Sequence, residues 1–257
     1  MRAIWSGAIG FGLVNIPVKL YSAIQGSELD LDMLDKKDHS NIKFQRVNAT
    51  TGKVVPWENI VKGYKVDDRY VVLTDEDFQK ASPEKNKLIN IEEFVDEKEI
   101  DTIYFETPYY LQPDKSGVKP YGLLKEALEK THKVGLGTFV MRNRESLVLI
   151  KPHDDILILD KIRYQQEIRS TEELKIPASE NKAGEMKMAI QLIDQMSGEF
   201  DISKYHDTYT DKLMKLIKAK AKGKKIAPPH MRVVHSRSAD LMEQLKASLG
   251  SSKRKAS

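Results

Sequence analysis

Up to about residue 165 the chain is a succession of short alternating runs broken by turn residues, a pattern that points to a barrel-like or sandwich β core with few helices. Ile4, Ser6 and Ala8 alternate with Trp5, Gly7 and Ile9. A second run, Leu13 onward to Tyr21, is broken by Pro17, which has no N–H to give a ladder and marks a bend, bulge or edge. The run IKFQRVN (residues 42–48) reads as a strand that ends at the Thr51-Gly52 turn. VKGYKVDDRYVVL is two alternating runs about Asp67-Asp68, a β-hairpin. Thr74 then caps a short helix, with Asp77 three residues on to complete a capping box. After a mixed segment, IDTIYFETPYYLQP reads as an aromatic strand. Residues 121–132 carry Leu123, Leu124, Ala127 and Leu128 at helical spacing, and VGLGTFVMR, SLVLIKP and DILILDKI read as three further strands.

Beyond Pro177 the texture changes. Met186, Ala189, Ile190, Ile193 and Met196 recur at helical spacing, and the stretch from Gly198 to Ser203 interrupts that helix. A second helix over residues 205–222 has Tyr209, Leu213, Leu216 and Ile217 on its apolar side and Lys215, Lys218 and Lys222 in a stripe of their own. Gly223 ends it, Pro228-Pro229 prevent a quick restart, and a short third helix, ADLMEQLKASL, precedes the polar tail GSSKRKAS. The expected organisation is a β core over 1–177, a helical basic arm over 178–249 and a short basic tail over 250–257.

With 257 residues and 40% hydrophobic composition the chain can bury a substantial core. It has no Cys, hence no disulfide framework, thiolate metal site or cysteine nucleophile. No apolar run approaches the roughly 18 residues that span a bilayer, and the N-terminus lacks the build of a signal peptide. A soluble, cytoplasmic protein is expected, with no membrane partner. The net charge of +4 is unevenly spread: residues 201–257 hold fourteen basic and five acidic groups, and residues 61–130 hold eleven and sixteen. Between Lys212 and Lys225 there are seven lysines and no acid, a block that suits an anionic partner, nucleic acid or a membrane surface, or else a solvated helix face followed by a floppy tail.

Catalytic patterns are sparse. Gly7, Gly10 and Gly12 stand in the order G-x-x-G-x-G and are followed by an extended, Pro-containing run, where a pyrophosphate cradle needs a helix to open; close packing of the first strands is the better explanation. Asp154, Asp155 and Asp160 beside His153 would suit a two-metal nuclease only if they converge, and the Asp154-Asp155 pair also fits a hairpin turn. The six histidines show no ligand spacing, and no serine sits in a nucleophile elbow. No cofactor, metal or catalytic role is expected.

Several long blocks, in order, carry a resemblance: WSGAIGFGLVNIPVKLYSA (5–23), IKFQRVNATTGKVVPWENIVKGYKVDDRYVVLTDEDF (42–78), IDTIYFETPYYLQP (100–113), LGTFVMRNRESLVLIKP (136–152) and EMKMAIQLIDQMSGEFDISKYHDTY (185–209). Together they resemble bacterial Ku, the homodimeric relative of the eukaryotic Ku heterodimer that binds DNA ends. The resemblance covers residues 1 to about 225, and DLMEQLKASL is similar to the family's terminal helix. It implies a mainly β fold with α: a Ku-type β-barrel core, strand and loop excursions that form a ring, and a helical C-terminal arm. It further implies a non-enzymatic, nucleoid-associated scaffold of non-homologous end joining. Such a scaffold binds double-stranded DNA ends as a homodimer and recruits a multidomain ATP-dependent DNA ligase of the ligase D type. The family's longer Lys/Pro/Ala-rich tail is represented here by a few residues.

A protein that accepts any broken end must contact the phosphate backbone rather than base edges, so the candidates are basic groups on the excursions. These are Lys43 and Arg46, Lys53 at the Thr-Gly turn, Lys62, Lys65 and Arg69 around the hairpin, and Arg142 and Arg144 after FVM. Lys43 and Arg46 fall on opposite faces of an ideal strand. Lys215, Lys218, Lys222, Lys224 and Lys225 either add phosphate contacts or face the ligase. A metal-dependent nuclease and an RNA-binding barrel are the rival functions.

Overall fold

The computed structural model describes residues 1–81, 87–142, 144–178, 182–224, 244–245 and 248–249. Two compact units emerge, one of residues 1–26 and 30–170, the other of 27–29 and 171–257. In chain order the first holds β1 (Trp5–Phe11), β2 (Val14–Ser22), β3 (Lys62–Val66), β4 (Arg69–Leu73), α1 (Asp75–Lys80), β5 (Leu88–Asp96), β6 (Phe105–Pro113), α2 (Val118–Thr131), β7 (Lys133–Met141), β8 (Arg144–His153) and β9 (Ile156–Ile162). The second holds α3 (Ala183–Met196) and α4 (Thr208–Ala221). Among the described residues no helix is long and apolar enough to cross a membrane.

Seven strands close into a barrel in the order β1, β2, β6, β9, β8, β7, β5 and back to β1. Closure is the short parallel pairing of β5 with β1, Ala8 opposite Leu88 through Gly10 opposite Asn90; the other neighbours are antiparallel. Alternation along each strand sends Ile9, Ile16, Val18, Leu20, Ile89, Leu111, Phe139, Val148, Ile150, Leu157 and Leu159 into one core. Each such side chain stabilises the fold by about 1.5–3 kcal/mol relative to exposure. A smaller cluster of Val134, Leu149 and Ile162 lies under Ile100, Tyr104 and Phe105.

Pro17 sits where β2 runs out of its second neighbour. Its carbonyl accepts from the Asp114 N–H at 2.9 Å, and β2 pairs with β6 only from Val18 onward. The imino nitrogen therefore faces the end of a ladder, where no donor is required. The glycines of GAIGFG serve packing: a Cβ on Gly7 would collide with the Lys87 carbonyl and the Trp5 ring, and one on Gly10 with Leu88.

Two expectations fail. The mixed segment contains β5, the closing strand. Its alternation is lost because the register shifts between Ile91 and Glu93, leaving Glu92 and Glu93 both exposed. Residues 42–48, expected as a strand, form none. They have only the isolated bridge of Val47 with Val54, and nearly the whole segment is exposed, so no sheet stands beside it to complete it. The aromatic strand begins late, at Phe105, because Asp101 accepts from the Ile103 N–H at 3.0 Å and caps a single 3-10 turn first.

The other elements appear where the patterning puts them. Asp67 and Asp68 both adopt positive φ (43° and 65°), as a two-residue hairpin turn requires, and Thr74 and Asp77 form the reciprocal capping box. In the second unit α4 is capped by Asp207, which accepts from Tyr209 and Thr210 N–H groups. It ends at Gly223 (φ 72°), with the Lys224 N–H returning to the Ala219 carbonyl. Of the third helix, residues 244–245 and 248–249 are described, and the remainder of 239–249, the tail and Lys225 lie outside the described residues.

Helix α2 buries Leu124 and Leu128 in the barrel core and is hydrogen-bonded to the barrel strands by one hydroxyl. Buried Tyr121 donates to the Leu111 carbonyl and accepts from the Leu157 N–H, each at 2.6 Å, and so bridges the last paired residues of β6 and β9. Burial pushes the phenol pKa up, against the Leu157 hydrogen bond that lowers it, which keeps the proton available for Leu111. Tyr121→Phe strands a buried N–H and a buried C=O at about 1–3 kcal/mol each. We expect a loss of about 2–4 kcal/mol, read as a lower urea midpoint at unchanged slope. Gly137→Ala drives a methyl into the Asn90 backbone beside the β5 irregularity and is expected to cost more than about 3 kcal/mol. Gly122→Ala, on α2 with open space around it, should instead stabilise by up to about 1 kcal/mol; thermal melts of both variants check this contrast.

Candidate nucleic-acid interface

Strand directions decide which basic groups can approach one another. Chain leaving β2 and chain entering β5 lie at the barrel end where β1 begins, because β2 is antiparallel and β5 parallel to β1. Residues 23–87 are thus a long excursion rooted at one end of the barrel. The β7–β8 turn opens at that same end, since β7 runs against β5. Arg142 (φ 53°) occupies this turn, and Arg144 begins β8. The topology therefore brings Arg142 and Arg144 to the end of the barrel from which the excursion bearing Lys43, Arg46, Lys53, Lys62, Lys65 and Arg69 departs.

Residues 46–55 are a tied loop. Asn48 Oδ1 accepts from the Thr50 and Thr51 N–H groups, Gly52 (φ 68°) turns the chain, the Asn48 N–H donates to the Lys53 carbonyl and the Val55 N–H to that of Arg46. The Arg46 guanidinium lies 4.5 Å from the centre of the Trp57 ring, and the Lys62 ammonium 4.7 Å from that of Phe78. Sequence patterning singles out neither aromatic partner; the available signal is an aromatic residue eleven positions past Arg46, across a tight turn. In the hairpin, pairing of Lys62 with Leu73 and of Val66 with Arg69 puts Lys62 and Arg69 on one face and Lys65 on the other. Lys65 is engaged by Asp68 at 2.6 Å and Arg144 by Glu167 at 3.3 Å, exposed ion pairs that are weak and salt-sensitive.

The hairpin has no core. All residues from 61 to 72 are exposed, including Tyr64 (69%), Tyr70 (74%), Val66, Val71 and Val72. In the second unit Lys215, Lys218 and Lys222 share one face of α4, all exposed, and Lys224 follows its cap. Met186, Ile190, Ile193 and Met196 form an exposed apolar stripe on α3.

The carboxylates of the nuclease alternative do not converge. Asp154 (φ 49°) and Asp155 make the β8–β9 turn, at the barrel end opposite the excursion. Asp160 is buried on β9 and bound at 3.2 Å by Lys151, whose ammonium also meets Glu97 at 2.8 Å. Burial alone would lower the Lys151 pKa, but Glu97 and Asp160 together raise it, which keeps the Lys151 ammonium charged between them. Among the described residues no group of three His, Asp or Glu side chains is placed to hold a metal ion.

Residues 10–189 match the family described as the Ku70/Ku80 beta-barrel domain. Proteins named "Non-homologous end joining protein Ku" are similar over nearly the whole chain. The Koribacter versatilis protein is 39% identical, covering 98% of this chain and 87% of its own length. The Pseudomonas aeruginosa protein is 41% identical over 94% and 85%, and the Archaeoglobus fulgidus protein 40% over 97% and 98%. Barrel, excursion and helical unit thus match these proteins along their length, and the chain belongs to the Ku family.

Proposed function

We propose that this protein is a non-catalytic scaffold of non-homologous end joining, a homodimer whose two copies close a ring around double-stranded DNA and load from free ends. The observation that carries this is the excursion of residues 23–87. It is rooted at one barrel end, carries eleven basic groups among twelve acidic ones, and bears a hairpin whose apolar side chains no described residue of its own unit covers. An isolated two-stranded hairpin is marginal in water, so Tyr64, Val66, Tyr70, Val71 and Val72 need a partner surface, and a second copy related by a two-fold axis supplies one without a new gene product. The names of the similar proteins support the same pathway.

Charge alone does not explain a preference for ends. A duplex presents one phosphate charge per about 1.7 Å along its whole length, so cations hold internal DNA equally well. A closed ring admits DNA only at a terminus, and phosphate contacts from Lys43, Arg46, Lys53, Lys62, Lys65, Arg69, Arg142 and Arg144 then hold any sequence. The lysine stripe of α4 extends the phosphate contacts or presents a face to an ATP-dependent end-joining ligase. The functional boundaries follow as a core with DNA-encircling bridge over 1–177, a basic arm over 178–249 and a tail over 250–257.

Two measurements test this. In competition among linear duplex, the same duplex ligated into a circle, and RNA, linear duplex should win, and circularising a loaded fragment should trap the protein through high-salt washes. Equal binding to the closed circle overturns the ring, and a preference for RNA overturns the DNA assignment. Neutralising Lys215, Lys218 and Lys222 together should flatten the dependence of log K on log salt by roughly two to three units if all three meet phosphate. An unchanged slope with weaker ligase stimulation assigns the stripe to the ligase instead.

A further inference from the structure

We infer that Trp57 is a positioning residue for DNA-end binding: its ring holds the Arg46 guanidinium in place, ready for phosphate. This rests on the scaffold function above and adds a residue to it. Trp57 keeps 68% of its surface in water on an excursion with no core of its own, yet the Arg46 guanidinium sits 4.5 Å over its ring. The backbone fixes the pair from both sides. The Arg46 carbonyl accepts from Val55 at 2.8 Å, and Trp57 opens the 3-10 turn Trp57–Asn59 just after Pro56, closed by the Ile60 N–H on the Trp57 carbonyl.

A guanidinium held over a ring face by cation–π attraction commits no N–H donor to a conventional hydrogen-bond acceptor, so its N–H fork stays available to match two phosphate oxygens. An ammonium facing a ring, as Lys62 faces Phe78, offers no comparable planar fork. Ordering a long arginine before DNA arrives removes rotamer entropy that binding would otherwise lose. An exposed cation–π contact contributes about threefold per site. With the pair present in both halves of the ring, the combined effect is about tenfold.

The test is a double-mutant cycle on the full chain, with affinity for a linear duplex measured across a salt series and folding checked by circular dichroism. Trp57→Leu should weaken binding about tenfold with the salt slope unchanged, because the Arg46 charge is still present. Trp57→Phe should restore most of the loss. Arg46→Ala should weaken binding and flatten the slope by about one unit for each phosphate that Arg46 neutralises, and Trp57→Leu should then have little further effect. An equal Trp57→Leu loss in both backgrounds, or no loss at all, overturns the positioning role while leaving linear-over-circular preference intact. Absence of that preference in the unsubstituted protein is the separate result that removes the scaffold function itself.

Discussion

The barrel depends on how β5 fits beside β1. That pairing covers only three residues, and it begins at Ala8, so the lower part of β1 has no β5 neighbour. Trp5 fills the gap. Its indole lies across Gly7, packs edge-on to Phe139 at 5.9 Å and donates from Nε1 to the Val140 carbonyl on β7 at 3.2 Å. The ring thus ties β1 to β7 where β5 has yet to start, which is possible only because Gly7 leaves room for it. Above this point Gly137 plays the same part against Asn90. Two missing side chains and one large one let seven strands close without a clash.

Since β2 and β5 flank β1, the excursion leaves and returns on the two sides of β1, its exit level with the start of β1 near Trp5 and its return at Leu88, opposite Ala8. Its residues are exposed for the most part, whether apolar or charged. At the opposite end, Tyr121 locks α2 across the β6–β9 seam. The first unit therefore carries α2 at one end and roots the excursion at the other, and the basic turn at Arg142 lies at the excursion's end.

What the sequence made legible was what local chemistry decides. The Asp67-Asp68 hairpin, the Thr74 capping box, α2 to α4 and the strands β7 to β9 each announce themselves within a dozen residues. The barrel's closing strand did not, because Glu92 and Glu93 fall at a register shift and erase the alternation that marks Ile89 and Ile91 as inward. The run 42–48 misled in the opposite sense: Lys43, Phe44, Gln45 and Arg46 alternate correctly, yet a strand exists only where another strand lies beside it. Of the candidate interface, the cations were readable as residue types on loops. That Lys62 and Arg69 share a face, that Lys65 is tied to Asp68, and that Arg46 rests on Trp57 all required the pairing register and the fold of the loop.

Charge is uneven along the chain: residues 61–130, which include the hairpin as well as β5, β6 and α2, hold sixteen acidic groups against eleven basic ones, while residues 201–257 hold fourteen basic against five acidic. Exposed Glu92 and Glu93 on β5, with Glu99 beyond it, repel a polyphosphate that approaches the barrel wall. A uniformly basic surface would bind DNA along its length in many orientations. The excursion of residues 23–87 mixes eleven basic groups with twelve acidic ones, so its cations attract phosphate at particular positions and not as a uniform field. In the proposed ring, phosphate contacts then hold the duplex whatever its sequence, and geometry is left to decide whether it arrived at a terminus.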